Sequence, residues 1–415
     1  MIPYKKHILE NGLTLIVHRD KSTPVTAVSV IYKVGSRNEQ EDQTGLAHLF
    51  EHLMFGGSKH VKDFDAPIQN AGGENNAFTN NDLTNFYCVL PGENLDTAFW
   101  LESDRMAALA LTEKKLSNQK SVVIEEFKET CLNEPYGDVW HHISELAYRK
   151  HPYKWPVIGL DESHISSVTL SDANNFYRQY YHPSNAIITV AGPLTFKQVL
   201  KKVTYWFGDI PGNQLVNSQF PQEQPMEGRR FREVSGEVPS DAIYIMFPMS
   251  DRLSPEYYVT DLISDILAGG RSARLYQRLV KEKEIFTYID AYVTGTHDQG
   301  LLLIEGKTTP TVTLENAEKA IWEILDELTK KGIPARELRK LKNKVESTLV
   351  YSEISVMAKA INLGIFESLG DADLINREVA MYRGITADDL LQNMRKVFNP
   401  DACAVLYYRK QATPS

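Results

Sequence analysis

The sequence predicts an α+β protein of two structurally similar halves, each a mostly antiparallel sheet with helices packed on it in an α/β sandwich, related by an internal repeat. Three observations carry this expectation. The chain has 415 residues, more than one hydrophobic core usually serves. Strand-like and helical segments follow one another in the same order twice. Between the two passes, a stretch rich in Pro, Gln, Asn and Ser from about residue 211 to 228 reads as an extended linker. The expected boundaries are 1–212 for the first half, 213–228 for the linker and 229–415 for the second.

The first half opens with β-branched and aromatic runs at Leu13–His18 and Val25–Val34, which read as strands. At Gly45–Phe55 the apolar residues move to helical spacing, and Gly56-Gly57 stops the helix. Two extended segments follow, Gly72–Thr79 and Thr84–Leu90, joined by Asn80-Asn81-Asp82. A long helical region is expected from about Leu95 to Tyr148, broken at Asn133–Tyr136, and the half closes with a strand at Asn185–Ala191 and a helix ending near Trp206. The second half repeats the order. Strand Ile243–Phe247 corresponds to Val28–Val34, and helix Leu262–Ala268 with Gly269-Gly270 to Leu46–Phe55 with its glycine pair. Closing strand Ala402–Tyr407 corresponds to Ala186–Val190, each preceded by a proline, Pro400 and Pro183.

Composition narrows the function classes. With 42% hydrophobic and 24% charged residues the chain is an ordinary globular protein able to fold without disulfides. Its three cysteines, Cys88, Cys131 and Cys403, are far apart and form no C-x-x-C pair, so they read as buried thiols. A formal net charge of −9 argues against nucleic-acid binding, which needs clustered cations. The first residues lack an apolar signal core, and no stretch of about 18 uncharged apolar residues could span a bilayer. The expectation is a soluble, cytoplasmic bacterial protein with no membrane span.

His48-Leu49-Phe50-Glu51-His52 carries the chemistry. Two imidazoles four residues apart on a helix project from one face and can share a metal at the roughly 2.0–2.1 Å that zinc requires. Glu51 lies beside that face, placed to take a proton from an attacking water and pass it to a leaving amine. Chance placement is the competing reading. Against it, two imidazoles and a carboxylate on an otherwise apolar helix would cost several kcal/mol if buried without partners. A catalytic zinc usually takes three protein ligands, and the acidic helix Val122–Glu129 offers Glu125, Glu126 and Glu129. Helical spacing puts Glu125 and Glu129 on one face and Glu126 about 100° away, which does not choose among them.

Gly45–Gly57, the downstream Gly72-Gly73-x-x-Asn76-Ala77-x-Thr79 and Val122–Glu126 together resemble the M16 metallopeptidases, the family of pitrilysin and insulin-degrading enzyme, over nearly the whole chain. The resemblance is closest to the short two-domain bacterial type, and it implies a zinc endopeptidase with one Zn2+ per chain. It selects Glu126 as third ligand, the close of Val123-Ile-Glu-Glu126, 74 residues after His52. Where relatives often carry a further acidic residue seven positions earlier, this chain has Gln119. The resemblance makes Asn75–Asn80 a substrate-binding edge strand, with Asn76 and Ala77 nearest the peptide. It places a substrate-holding arginine and tyrosine in the second half; Tyr288 matches, but the arginine position is Lys281. Arg274 reads as structural. Implied too is a chamber closed by two chains, a homodimer or a heterodimer with a related chain, acting on unfolded peptides. The alternatives are a non-catalytic core or assembly subunit, and a metal hydrolase for non-peptide substrates.

Overall fold

The structure is a computed structural model that describes residues 1–215 and 219–411; residues 216–218 of the expected linker lie outside the described residues. The strands are β1 (Tyr4–Ile8), β2 (Thr14–Arg19), β3 (Val25–Tyr32), β4 (Glu74–Thr79), β5 (Thr84–Pro91), β6 (Ala186–Gly192), β7 (Arg230–Gly236), β8 (Ala242–Met249), β9 (Phe286–Val293), β10 (Gly300–Thr308) and β11 (Ala404–Lys410). The helices of the first part are α1 (Leu46–Phe55), α2 (Asp65–Asn70), α3 (Leu95–Ala108), α4 (Glu113–Phe127), α5 (Val139–Ala147), α6 (Glu162–Ser167), α7 (Leu170–Tyr180) and α8 (Phe196–Phe207). Those that follow are α9 (Pro255–Ala268), α10 (Leu314–Lys331), α11 (Ala335–Ser352), α12 (Val356–Ser368), α13 (Leu374–Gly384) and α14 (Ala387–Val397).

Six strands form one sheet in the order β1-β2-β6-β3-β5-β4, and five form a second in the order β7-β11-β8-β10-β9. Among the described residues, only the β2–β6 and β7–β11 pairs are parallel. With β1 set aside, the two sheets have one topology, and β3 matches β8 and β6 matches β11 as the internal repeat predicts. The expected helical region 95–148 is interrupted twice rather than once: at Leu109–Thr112 between α3 and α4, and at 134–138, close to the expected break, where the π-helical turn Lys128–Asn133 that continues α4 gives way to a turn before α5.

The chain packs as two compact units that are not contiguous in sequence. One comprises Met1–Phe127, Trp155–Phe220 and Leu349–Arg377; the other Lys128–Lys154, Pro221–Thr348 and Glu378–Ser415. The expected 1–212 and 229–415 halves thus give way to units that exchange segments. The reason is that each sheet has two apolar faces. In the first unit, alternate strand residues Val28, Val30, Phe86 and Ile188 pack with Leu49, Phe50 and Leu53 of α1 and Phe99 of α3. The opposite face, with Ala27 and Ala191, is covered by Val356 and Ala360 of α12. Gly364 permits that approach, since a Cβ there would lie 2.8 Å from Ile31 Cδ1. In the second unit, Tyr244, Met246, Leu303 and Leu406 pack against Val139, Ile143 and Leu146 of α5. On the other face, Phe247 meets Trp322 of α10 and Phe398, just past α14. All three cysteines are buried thiols. Among the described residues no single helix is long and apolar enough to cross a membrane.

Candidate metal centre and active site

α1 buries Leu46, Leu49, Phe50 and Leu53, an i, i+3, i+4, i+7 stripe, against the first sheet. The remaining face carries His48, Glu51 and His52, all half-buried. On α4, Val123 and Phe127 anchor to the core, which leaves Glu126 at the flank, half-buried, while Glu125 and Glu129 face solvent. Packing therefore settles what helical spacing left open. Glu126 Oε2 lies 3.3 Å from His52 Nε2, and its Oε1 lies 3.7 Å from His48 Nε2. The π turn at Lys128 begins two residues after Glu126, a local irregularity of the kind often found beside functional positions.

The donor set fits a zinc ion. His48, His52 and Glu126 each offer one ligand atom, all within 4.8 Å of one another. Tetrahedral ligands at about 2.0–2.1 Å from zinc stand about 3.3 Å apart, close to the spacings found. Protonation agrees: burial pushes His48 below the usual histidine range, which keeps the imidazole neutral, and the hydrogen bond from His52 holds the Glu126 carboxyl below its usual value. Among the described residues, buried His48 Nδ1 has no hydrogen-bond partner.

Glu51 is not part of the donor triangle. Its Oε2 accepts a 2.6 Å hydrogen bond from Thr79 Oγ1, and burial raises its carboxyl above the usual range. Thr79 closes β4, the edge strand of the first sheet, so one hydroxyl ties the expected substrate strand to the expected base. Thr79 closes the motif Gly72-Gly73-x-x-Asn76-Ala77-x-Thr79, but sequence does not show this contact, which depends on how β4 lies against α1. Asn76 and Ala77 lie on the same edge strand, with Ala77 N–H donating to Asn76 Oδ1 at 2.8 Å. Among the described residues, no strand neighbours the outer edge of β4.

The second unit holds the other two expected residues. Tyr288, on β9, is 43% exposed and donates to Asp290 Oδ2 at 3.4 Å. Lys281 is exposed near the end of the π turn Tyr276–Glu282, with Nζ 5.8 Å from the Tyr276 ring centroid. The cation set over Tyr288 is Lys307, its cross-strand neighbour on β10, 5.4 Å from the ring centroid. Sequence reasoning missed Lys307, since only strand register brings it there. Arg274 is held by Glu337, which accepts from its Nε at 3.1 Å, as suits a structural role.

Known proteins resemble this chain along most of its length. The family model described as Insulinase (Peptidase family M16) matches residues 14–160, and that described as Peptidase M16 inactive domain matches 167–345. Zinc protease PqqE of Helicobacter pylori is 30% identical over 344 residues, spanning 80% of this chain and 76% of the relative. The Bacillus subtilis protein named uncharacterized zinc protease YmxG is 24% identical over 416 residues, spanning 99% of this chain and 100% of the relative. A crystal structure of a protease from Helicobacter pylori has a TM-score of 0.95 at 26% identity, covering 99% of this chain and 100% of the other. The two family models match in order along residues 14–160 and 167–345, and with the 30% identical relative they show that the chain belongs to peptidase family M16.

Proposed function

We propose that the protein is a zinc-dependent endopeptidase that hydrolyses unfolded peptides. The observation that carries this reading is the convergence of His48, His52 and Glu126 from two helices, with Glu51 on the same helix face as the histidines. The relatives named zinc proteases support it. Zinc, when bound, supplies Lewis acidity toward a peptide carbonyl and lowers the pKa of water toward about 7. Glu51 takes the proton from the attacking water and returns it to the leaving amine, with Thr79 holding the carboxylate in place. An extended peptide adds as a strand to the free edge of β4 beside Asn76 and Ala77, so that main-chain hydrogen bonds supply affinity without a strict sequence requirement.

Tyr288 and Lys281 are assigned to substrate holding on the resemblance in sequence alone. Lysine lacks the planar fork of the arginine expected at position 281, so a second, related chain that carries the arginine is the partner this reading favours over an identical copy. The same substitution is what favours the second reading, a non-catalytic subunit of such a pair. One experiment separates them: zinc content and cleavage of quenched, unstructured peptides by wild type and Glu51→Gln. Zinc with cleavage in the wild type, and zinc without cleavage in the variant, supports the peptidase. Absence of zinc from the wild type would sink it.

A further inference from the structure

We propose that Glu39 is the positioning residue of the metal centre: its buried carboxylate fixes the first turn of α1, and through it the placement of His48 and His52. The inference rests on the zinc-site reading above.

α1 has no side-chain cap of its own, because the residue before it, Gly45, has none to offer. The backbone also excludes one there. Gly45 sits at φ 86°, and a Cβ would come within 2.8 Å of the Ile158 carbonyl oxygen. The orphan N–H groups of the helix are met instead by Glu39, six residues upstream. Its Oε2 accepts from Gly45 N–H at 2.9 Å and its Oε1 from Ala47 N–H at 2.8 Å. The indole N–H of Trp155 donates to the Ser36 carbonyl at 2.8 Å and lies close enough to the Glu39 carboxyl to favour its charged form.

Glu39 is only 6% exposed and, among the described residues, makes no ion pair. Burial pushes the Glu39 carboxyl well above the usual carboxylate range, and the N–H groups of Ala47 and Gly45, at the positive end of the helix, act against that. A Ser or Thr cap would bury no charge, but the backbone at Gly45 has no room for one. What the two-oxygen grip adds is geometry. A single oxygen on one N–H leaves a helix free to roll, whereas two oxygens on the N–H groups of residues 45 and 47 fix both its rotation and its advance. His48 is the next residue, and Glu51 and His52 follow within about one turn. A second clamp acts on the same turn: Thr44 Oγ1 accepts from Leu160 N–H at 2.8 Å and is 2.8 Å from His164 Nδ1. The Glu126 contacts demand this accuracy, since a roll of the helix would carry one imidazole away from the carboxylate as the other approached.

Glu39→Gln tests the assignment at constant volume. The amide retains one acceptor but turns its NH2 toward a backbone N–H, so one arm of the grip becomes a donor facing a donor. The zinc dissociation constant, measured by chelator competition, is expected to rise roughly ten- to a hundredfold, and kcat to fall with KM unchanged. Trp155→Phe, which keeps an aromatic side chain and removes the indole N–H beside this carboxyl, is expected to move zinc affinity the same way by less, and it decides the matter if Glu39→Gln does not fold. Variants that lose thermal stability yet bind zinc as tightly as the wild type while folded would overturn the proposal. A wild type that takes up no zinc would remove the metal centre and this assignment together; equal affinity in wild type and variants removes only the role of Glu39.

Discussion

The Thr79 hydroxyl is the one side-chain group that both orients Glu51 and belongs to the edge strand. Thr79→Val keeps the shape of the strand residue and removes the donor. We expect kcat on unstructured peptides to fall about tenfold with zinc content unchanged, because the carboxylate loses orientation and not the metal. A variant that turned over like wild type would show that β4 does not orient the base. A second residue prediction concerns stability. Arg105 is fully buried, donates from Nε to Glu102 at 2.9 Å, and lies 4.2 Å and 4.1 Å from the ring centroids of Phe64 and Phe86. Arg105→Met leaves Glu102 buried without its partner and should cost about 3–5 kcal/mol, read from denaturant unfolding. Cutting both at once, as Arg105→Met with Glu102→Leu, should recover much of that loss.

At the scale of elements, α12 closes the second face of the first sheet through small residues. Gly364→Val would drive a side chain into Ile31 and Thr189, whose atoms stand 2.8 Å and 3.1 Å from where a Cβ would lie, and should destabilise the protein by about 1–3 kcal/mol. The helix is also tied electrostatically, by Lys359 Nζ to Asp20 Oδ2 at 2.7 Å with both side chains largely buried. The hydrogen bond from Lys359, followed by those from Ser22, holds the Asp20 carboxyl well below its usual range. A depressed carboxyl stabilises the fold above its unfolded pKa, about 3.9, and loses that contribution as pH falls through the lower folded value. Lys359→Ala should therefore lower stability by about 1–2 kcal/mol at pH 7, and the gap to wild type should close below about pH 4. A gap that stayed constant with pH in chemical denaturation would mean that α12 is held by its apolar contacts alone.

At the scale of the molecule, exchanged segments make the two sequence halves interdependent. A fragment ending at residue 212 would lack α12 and present the Ala27 and Ala191 face of the first sheet to water. It would also carry α5 without the second sheet that α5 covers. We expect such a fragment to be insoluble, or to unfold without a cooperative transition, and addition of the segment from 349 to 377 to restore solubility in part. A fragment 1–212 with a sharp thermal transition would contradict this account of the packing. The same interdependence bears on the proposed metal centre, since α1 and the first sheet form one apolar cluster.

The sequence by itself determined the repeat, the elements around each glycine stop, and the two histidines with their glutamate. These are local: strand and helix periods, chain stops and the i, i+4 spacing are written in residues only a few positions apart. Tertiary structure decided the rest. Which of Glu125, Glu126 and Glu129 meets the histidines follows from how Val123 and Phe127 seat α4. Thr79, Lys307 and Glu39 found their partners through strand register and loop packing, across separations no periodicity encodes. The unit boundaries departed from contiguous halves because a sheet with two apolar faces takes cover from whatever part of the chain supplies it, and here that part lies in the opposite half of the sequence.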